Sequence, residues 1–487
     1  MKKTIFIIAC FLTFTGYAQS NEPTTYKKRV LETPEVSILT SYYSQDGDNA
    51  AVTGGIGTEE LKDVAGNIVI SIPLNANDVF TIDGTVSAYS SASSSNLNPF
   101  DSGASKGGDD DDDDDEYERK NKIAGTNSTT GSPWVESSGA SRSDVWASGT
   151  IAYNHSSDSR NTIVGGNISF ANEYDYSSFG VGANFAQLFN AKNTEVGISV
   201  NAYFDKWRPA YPTELISYEE ENGNLNAGFF EGIDILDQNG TVINKNGAVV
   251  WNPTNYSLIT NTSRNTYAAS ISFSQIISKK AQFSVFLDLV QQSGWLSNPM
   301  QRVYFGDKEN YYIGNGASIP FYTSKQNTDV FRLADDIERL PDTRFKTPIG
   351  ARFNYYLNEI IVIRTYYRYY ADDWGISSNT AIVELPIKIS DKFTLYPSYR
   401  YYTQTAADYF APFEAHNSTE EFYTSDYDLS EFNANQYGLG VTYTDIFTKA
   451  HIWHFGIKSI DLKYDYYQRN TGLTAGIVTA GIKFAMK

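Results

Sequence analysis

Three groups of charged residues have the types and spacing to do chemistry. Arg352, Arg364, Arg368 and Arg400 put four guanidiniums into one Tyr-rich stretch, with Glu384, Asp372 and Asp408 nearby as acids that pair with them. A guanidinium is a planar fork of donors that fits a carboxylate or a phosphate. Such a set either builds a structural ion-pair network or faces charged solutes. The second group recurs as short mixtures of Arg, Asp and Tyr. It comprises Arg339, Asp342 and Arg344, Asp372 and Asp373, Asp408, Asp426 and Asp428, together with Asp46, Asp48 and Glu59 nearer the start. The third is a run of seven aspartates, Asp109 to Asp115. At an effective dielectric of about 20, unit charges roughly 4 Å apart repel by about 4 kcal/mol, so holding such a run in one place is costly.

Other chemistry is sparse. Of four histidines, only His416 falls in a long predicted loop, with Glu414 two residues before it. His451 and His454 are three apart, which on a strand points them to opposite faces and away from a shared zinc. No nucleophile–base set is visible, so an enzyme is not expected. GGIG at Gly54–Gly57 lacks the lysine of a phosphate loop and reads as turn glycines. DGDN at Asp46–Asn49 begins like a calcium loop, but Ala50 and Ala51 stand where an acid and a glycine belong. The acidic loops therefore offer only weak binding of Ca2+ or another divalent ion, and no cofactor is expected. A net charge of −19 argues against nucleic acid as a partner.

What must position these groups is legible in the hydropathy pattern. Residues 1–18 read as a signal peptide: Lys2 and Lys3, the short apolar run Ile5–Phe14, and a small-x-small site at Gly16–Ala18. The one cysteine, Cys10, lies inside it, so thiol and disulfide chemistry is excluded from the mature chain. Residues 19–33 follow as an N-terminal periplasmic segment. From 34 to 487 about ten-residue segments alternate, as in Val196, Ile198, Val200, Ala202 and Phe204 against Gly197, Ser199, Asn201 and Tyr203. Short connections such as Asn75–Asp78 and Asn190–Asn193 take turns with long ones near 44–66, 90–144, 206–263, 292–348 and 405–434. The expected fold is all-β: a single antiparallel transmembrane β-barrel of about 16 strands, with short periplasmic turns and long extracellular loops. Both termini then lie in the periplasm of a Gram-negative bacterium. The Tyr clusters Tyr366–Tyr370, Tyr396–Tyr402 and Tyr464–Tyr467 are expected to form an interfacial girdle.

With the apolar face toward lipid, Arg352, Arg364, Arg368 and Arg400 point into the lumen together with Glu384 and Lys388. Asp83, Glu173, Asp175, Glu195, Asp205 and Asp288 stand on the opposite wall. A basic wall across from an acidic one sorts polar solutes by a transverse field. The competing reading is a network that stiffens the wall. The aspartates fall in the loop 90–144 between Ser-, Gly- and Thr-rich flanks, the composition of a disordered acidic extracellular tassel.

Five stretches carry a family resemblance: SQDGDNAAVTGGIGTEEL (44–61), RLPDTR (339–344), YYRYYADDWGI (366–376), YPSYRYYTQTAADYFAP (396–412) and TSDYDLSEFNANQYGLG (424–440). Together they resemble a Bacteroidota-type outer-membrane protein family that is a domain of unknown function. The resemblance implies an outer-membrane β-barrel and no assigned substrate or catalytic residue; the aspartate run is not part of it. Most of these motifs sit at predicted loops, where they are expected to pack as a polar cap over the barrel mouth. The function expected is a channel for small polar solutes or ions. The alternatives are an occluded barrel that serves the envelope as a structural or partner-binding surface protein, and a surface hydrolase using His416. The partners expected are outer-membrane lipid, small polar solutes or ions, and other envelope proteins.

Overall fold

A computed structural model describes residues 29–91, 144–253, 258–322, 330–445 and 447–486. The expected signal peptide, most of segment 19–33 and the aspartate run lie outside these residues. Sixteen strands form one closed antiparallel barrel. In chain order they are β1 (Glu35–Asp46), β2 (Leu61–Pro73), β3 (Asp78–Ser91), β4 (Asp144–Ser156), β5 (Thr162–Asn172), β6 (Tyr176–Phe189), β7 (Thr194–Trp207), β8 (Thr262–Ser278) and β9 (Ala281–Gly294). Then come β10 (Thr343–Lys346 and Ile349–Tyr356), β11 (Val362–Ala371), β12 (Ser377–Glu384 and Ile387–Lys388), β13 (Phe393–Gln404), β14 (Phe432–Thr444), β15 (Phe455–Arg469) and β16 (Thr474–Met486). Each strand pairs with the next, and β1 closes on β16 in a register that sets Val36 opposite Phe484 and Tyr43 opposite Ile477. Closure leaves no unpaired edge, as a wall in hydrocarbon requires.

Two strands are interrupted where proline removes a ladder donor, β10 at Pro348 and β12 at Pro386. Neighbours still use the freed carbonyls: Asp288 N–H donates to Pro348 O at 2.9 Å and Val362 N–H to Pro386 O at 3.0 Å. The second break leaves the register unchanged: Glu384 pairs with Ser398 and Lys388 with Thr394, so Lys388 stays on the inner face as expected, at the tight-turn end, where it also pairs with exposed Asp391 at 3.4 Å. The first long loop is also shorter than 44–66, because β2 begins at Leu61.

The period of two is realised in exposure. Val64, Ile68, Val181, Ile198, Val200, Val285 and Leu289 stand outward and form an apolar band. Removing each such side chain from water is worth roughly 1.5–3 kcal/mol, so the band belongs in lipid. The Tyr clusters split by the same rule. Tyr367, Tyr369, Tyr399, Tyr401, Tyr464 and Tyr466 face outward, whereas Tyr366, Tyr370, Tyr396, Tyr402 and Tyr467 point in. Only half of each cluster can serve a girdle; the other half builds the lumen wall. Among the described residues no helix is long and apolar enough to cross a membrane.

The two ends of the barrel differ. At one end the turns are tight. Asn75 Oδ1 accepts from the N–H groups of Asn77 (2.8 Å) and Asp78 (3.1 Å), an Asx turn that joins β2 to β3. Val30 and Leu31 pack there on Val79. At the other end the connections 47–60, 208–261, 295–342 and 405–431 build a cap with a core of its own. Tyr211, Leu215, Phe230, Ile235 and Trp251 of one loop pack on Tyr304, Leu333 and Ile337 of another, around helix α1 (Thr213–Glu220). A second cluster joins Leu296 and Leu340 to Trp374, Ile376, Ala407 and Leu429.

Candidate functional site

The site has two storeys, a charged lumen wall on β10–β15 and the cap above it. Strand alternation places Arg352 on β10, Arg364 and Arg368 on β11, Glu384 on β12 and Arg400 on β13 on the inner face, between outward Phe353, Tyr367, Val383 and Tyr399. Register then sets the rows. Arg352 lies opposite Tyr366, which lies opposite Ile382, then Arg400, then Gln436. One step toward the tight-turn end, Asn354, Arg364, Glu384 and Ser398 form the neighbouring row.

Among the described residues, one of the four arginines has a carboxylate on this wall: Arg364 Nη1 donates to Glu384 Oε1 at 3.2 Å. The other three lie against rings. Arg352 is 5.6 Å from the centroid of Tyr366, Arg368 5.9 Å from Tyr370 and Arg400 5.8 Å from Tyr402. A ring face attracts a guanidinium by about 0.5–2 kcal/mol without using its donors. Arg400 Nη1 reaches Gln436 Oε1 at 3.5 Å. On β15, Lys463 and Asp465 face inward as a buried pair at 3.3 Å. Gly438 of β14 leaves them room, since a Cβ there would stand 2.3 Å from Asp465 Oδ1.

The opposite wall is less acidic than its sequence suggests. Asp205 is neutralised by Arg264 Nε at 2.9 Å with both side chains buried. Asp83 accepts from Asn67 at 2.7 Å. Glu173 and Asp175 sit in the β5–β6 turn, not on the wall; burial, with Asp175 beside it, pushes Glu173 up to about 8. Asp288 and Glu195 do face inward from β9 and β7.

In the cap the acids and arginines meet. Arg344 donates to Asp372 Oδ2 through Nε (2.9 Å) and Nη2 (2.6 Å), Tyr370 OH joins the same oxygen at 2.7 Å, and the guanidinium lies 4.3 Å from the Trp374 ring centroid. Asp373 accepts from Phe345 N–H at 2.9 Å. Arg339 Nε bonds Asp336 at 2.9 Å, and Tyr423 OH also donates to Asp336. Deeper, Arg469 at the end of β15 bonds Asp428, while Gln301 donates to Asp426 at 2.9 Å. Glu59 is buried beside them. Burial raises it to about 8, Asp428 adds to the rise and Arg469 opposes it. Asp46, Asp48, Asp342 and Asp408 are exposed and stand outside these buried networks, although Asp408 lies against Gly375. Asp46 and Asp48 therefore do not converge with Glu59 as a cation cage would require. Among the described residues, no group of three or more His, Cys, Asp or Glu could hold a metal ion.

The GGIG stretch is a turn packed between loops of the cap. Gly54 has φ +78°, and a Cβ on it would come within 2.5 Å of the Tyr304 ring; Gly55, at φ +88°, would meet Ser425 O at 2.6 Å. Arg302 Nη1 donates to Val52 O in the same turn at 2.9 Å, and its Nε to Glu214 at 2.7 Å. His416 is buried. Its Nδ1 contacts Glu420 at 2.6 Å and its Nε2 the Thr424 carbonyl at 2.9 Å, so the imidazole ties the 405–431 loop together.

Sequence reasoning missed several of these partners. Lys463, Asp465 and Arg469 were readable, since they alternate with outward Tyr464 and Tyr466. Arg302, Glu214, Arg332 and Glu414 carried no local signal, because their partners come from other loops; Asp336 lies only three residues before Arg339, in irregular chain where no strand or helix period places it.

The family model described as Protein of unknown function (DUF3570) matches residues 3–481, and the chain belongs to that family. No curated protein matches it by sequence. Among solved structures it is similar to a bacterial polysaccharide outer membrane secretin, at 8% identity over 93% of this chain and 99% of that one, TM-score 0.40. It is also similar to the TodX deltaS2S3 mutant monoaromatic hydrocarbon channel (10% identity, 94% and 91%, TM-score 0.38) and to a Pseudomonas aeruginosa FadL homologue (8% identity, 94% and 91%, TM-score 0.36).

Proposed function

We propose that the chain is an outer-membrane channel for small polar solutes, with the tight turns and both termini in the periplasm and the cap outside the cell. The observation that carries this reading is the polar inner face of a sixteen-stranded wall: Arg352, Arg368, Arg400, Thr380, Ser398 and Gln436 line it where apolar side chains would fill a solid core. Barrels of sixteen strands leave an aqueous passage unless something plugs it. The cap is the gate, and its Arg344–Asp372 and Arg469–Asp428 contacts are the polar ties that hold it at the barrel mouth. Planar-bilayer recording of the refolded protein tests this. Unitary conductance steps are expected, and their absence over a range of voltages would end the channel reading.

A second reading has one observation in its favour. The cap core around Trp251 and Phe230 is apolar enough to be a small domain, which suits an occluded barrel that presents a surface to an envelope partner. It predicts no conductance and protease-resistant loops. The chain is not proposed as an enzyme, and the cap is assigned no cofactor; its exposed acids offer at most weak divalent binding. The surface-hydrolase alternative loses its base, since both ring nitrogens of His416 are held by Glu420 and the Thr424 carbonyl.

A further inference from the structure

We propose that Arg352, Arg368 and Arg400, with Gln436, form an anion-binding subsite in the lumen that takes small solutes bearing a carboxylate or a phosphate, and that it makes the channel anion-selective. This deepens the channel reading and rests on it.

The cap supplies an internal control. There Arg302, Arg332, Arg339, Arg344 and Arg469 each meet a carboxylate, from Glu214, Glu414, Asp336, Asp372 and Asp428. On the lumen wall Arg364 has Glu384 and Lys463 has Asp465. Arg352, Arg368 and Arg400 have no carboxylate partner among the described residues. Their stems are fixed against Tyr366, Tyr370 and Tyr402, whose rings stabilise the charge and leave the donor forks unspent. Arg352 and Arg400 share one cross-strand row, and Arg368 stands one row toward the cap, opposite Gly350, over which the ring of Phe286 lies.

Gln436 is the second, independent sign. It is 3% exposed. Its Oε1 accepts from Arg400, and its Nε2 donor has no partner. The Nε groups of Arg368 and Arg400 are likewise buried without an acceptor. Arg332 Nε in the cap is buried without an acceptor too, so what sets the wall apart is that Gln436 Nε2 and two arginine Nε groups stand together; a buried donor left unmet costs about 1–3 kcal/mol. Across the lumen Asp205 is cancelled by Arg264. Asp288 and Glu195 also face inward, from β9 and β7. On the patch itself the charges without a carboxylate partner among the described residues are the three arginines, and a planar carboxylate or a phosphate matches the fork of each.

The test uses the full refolded chain in planar bilayers under a KCl gradient. The reversal potential is expected to show preference for chloride, and millimolar succinate or inorganic phosphate to reduce the chloride current; whichever of the two acts at lower concentration names the solute class. In R352Q/R368Q/R400Q the channel is expected to conduct still, with chloride preference lost and block weakened at least about tenfold, the loss of one charge-assisted hydrogen bond or more. The lysine triple R352K/R368K/R400K keeps the charge without the fork. It is expected to retain chloride preference and lose the block, and it stands in if the glutamine variant does not fold, as judged by heat-shifted gel mobility. Conduction with the same ion preference and block in wild type and glutamine variant overturns the subsite and leaves the channel standing. Absence of conductance overturns the channel instead. The subsite is then decided by calorimetric titration of wild type and variant with succinate and phosphate, where equal heats overturn it.

Discussion

In the cap, five arginines are matched by five carboxylates; on the lumen wall, three of four arginines are matched by tyrosine faces. The neighbourhoods explain the difference. Cap arginines such as Arg332 and Arg302 lie beside an apolar core with little solvent to meet their charge, and each is matched by a counter-ion. Wall arginines face the lumen of the barrel, where, in the channel proposed above, water or a solute completes them. On that proposal the same side chain closes one region and leaves the other open for binding.

The comparison can be broken most forcefully at the cap core. Trp251 is buried, donates to Ala334 O at 3.1 Å and packs on Phe230. Trp251→Ala is expected to cost the cap about 3–5 kcal/mol. Limited proteolysis should then cut the 208–261 loop while the heat-shifted gel mobility of the barrel persists; loss of both together would show that cap and barrel unfold as one unit. Next comes Arg302→Met, which strands Glu214 in the interior at a cost of about 3 kcal/mol, whereas Arg302→Met with Glu214→Leu should recover most of it. Urea titration of the loop signal measures both, and equal loss in single and double variants would mean that the pair is not what holds the turn at Val52.

Glu59 sharpens the comparison through pH. Its folded-state value, about 8, lies above the ordinary carboxyl value, so the folded cap binds its proton more tightly than the unfolded chain does. Its favourable contribution is complete below pH 4.5 and is lost as pH rises through about 8. Glu59→Gln should therefore leave the cap unchanged in acid and stabilise it by on the order of a few kcal/mol above that range. Hydrogen exchange across 47–60 at both ends of the pH range reads this, and equal protection at alkaline pH would refute it. The smallest effect belongs to the rim. A double-mutant cycle on Arg344→Ala and Asp372→Ala should return a coupling of about 1–2 kcal/mol and noisier open-channel current. If loop protease sensitivity and conductance both stayed unchanged, these residues would not be part of a gate.

Much of this was legible in the chain. The outward Val196–Phe204 alternation and the tight turn at Asn75–Asp78 hold where the pattern put them, and the inward positions of Arg352, Arg364, Arg368, Arg400 and Glu384 follow from the same period. Misreadings came where a second rule intervened. Glu173 and Asp175 fell in the β5–β6 turn instead of on the wall, and the Tyr clusters obeyed the period that a girdle reading had overlooked. A strand's two faces are set by the backbone one residue at a time, so sequence alone determines the barrel, its lipid face and which charges line its lumen. Which of those charges are spent is a different matter. Glu214 reaches Arg302 across 88 positions, Glu414 reaches Arg332 across 82, and Gln301 reaches Asp426 across 125. No local pattern encodes such pairs. They exist because the loops share one apolar core in which an unmatched charge is too costly, and only the tertiary structure decided that Arg352, Arg368 and Arg400 would be the ones left without a carboxylate.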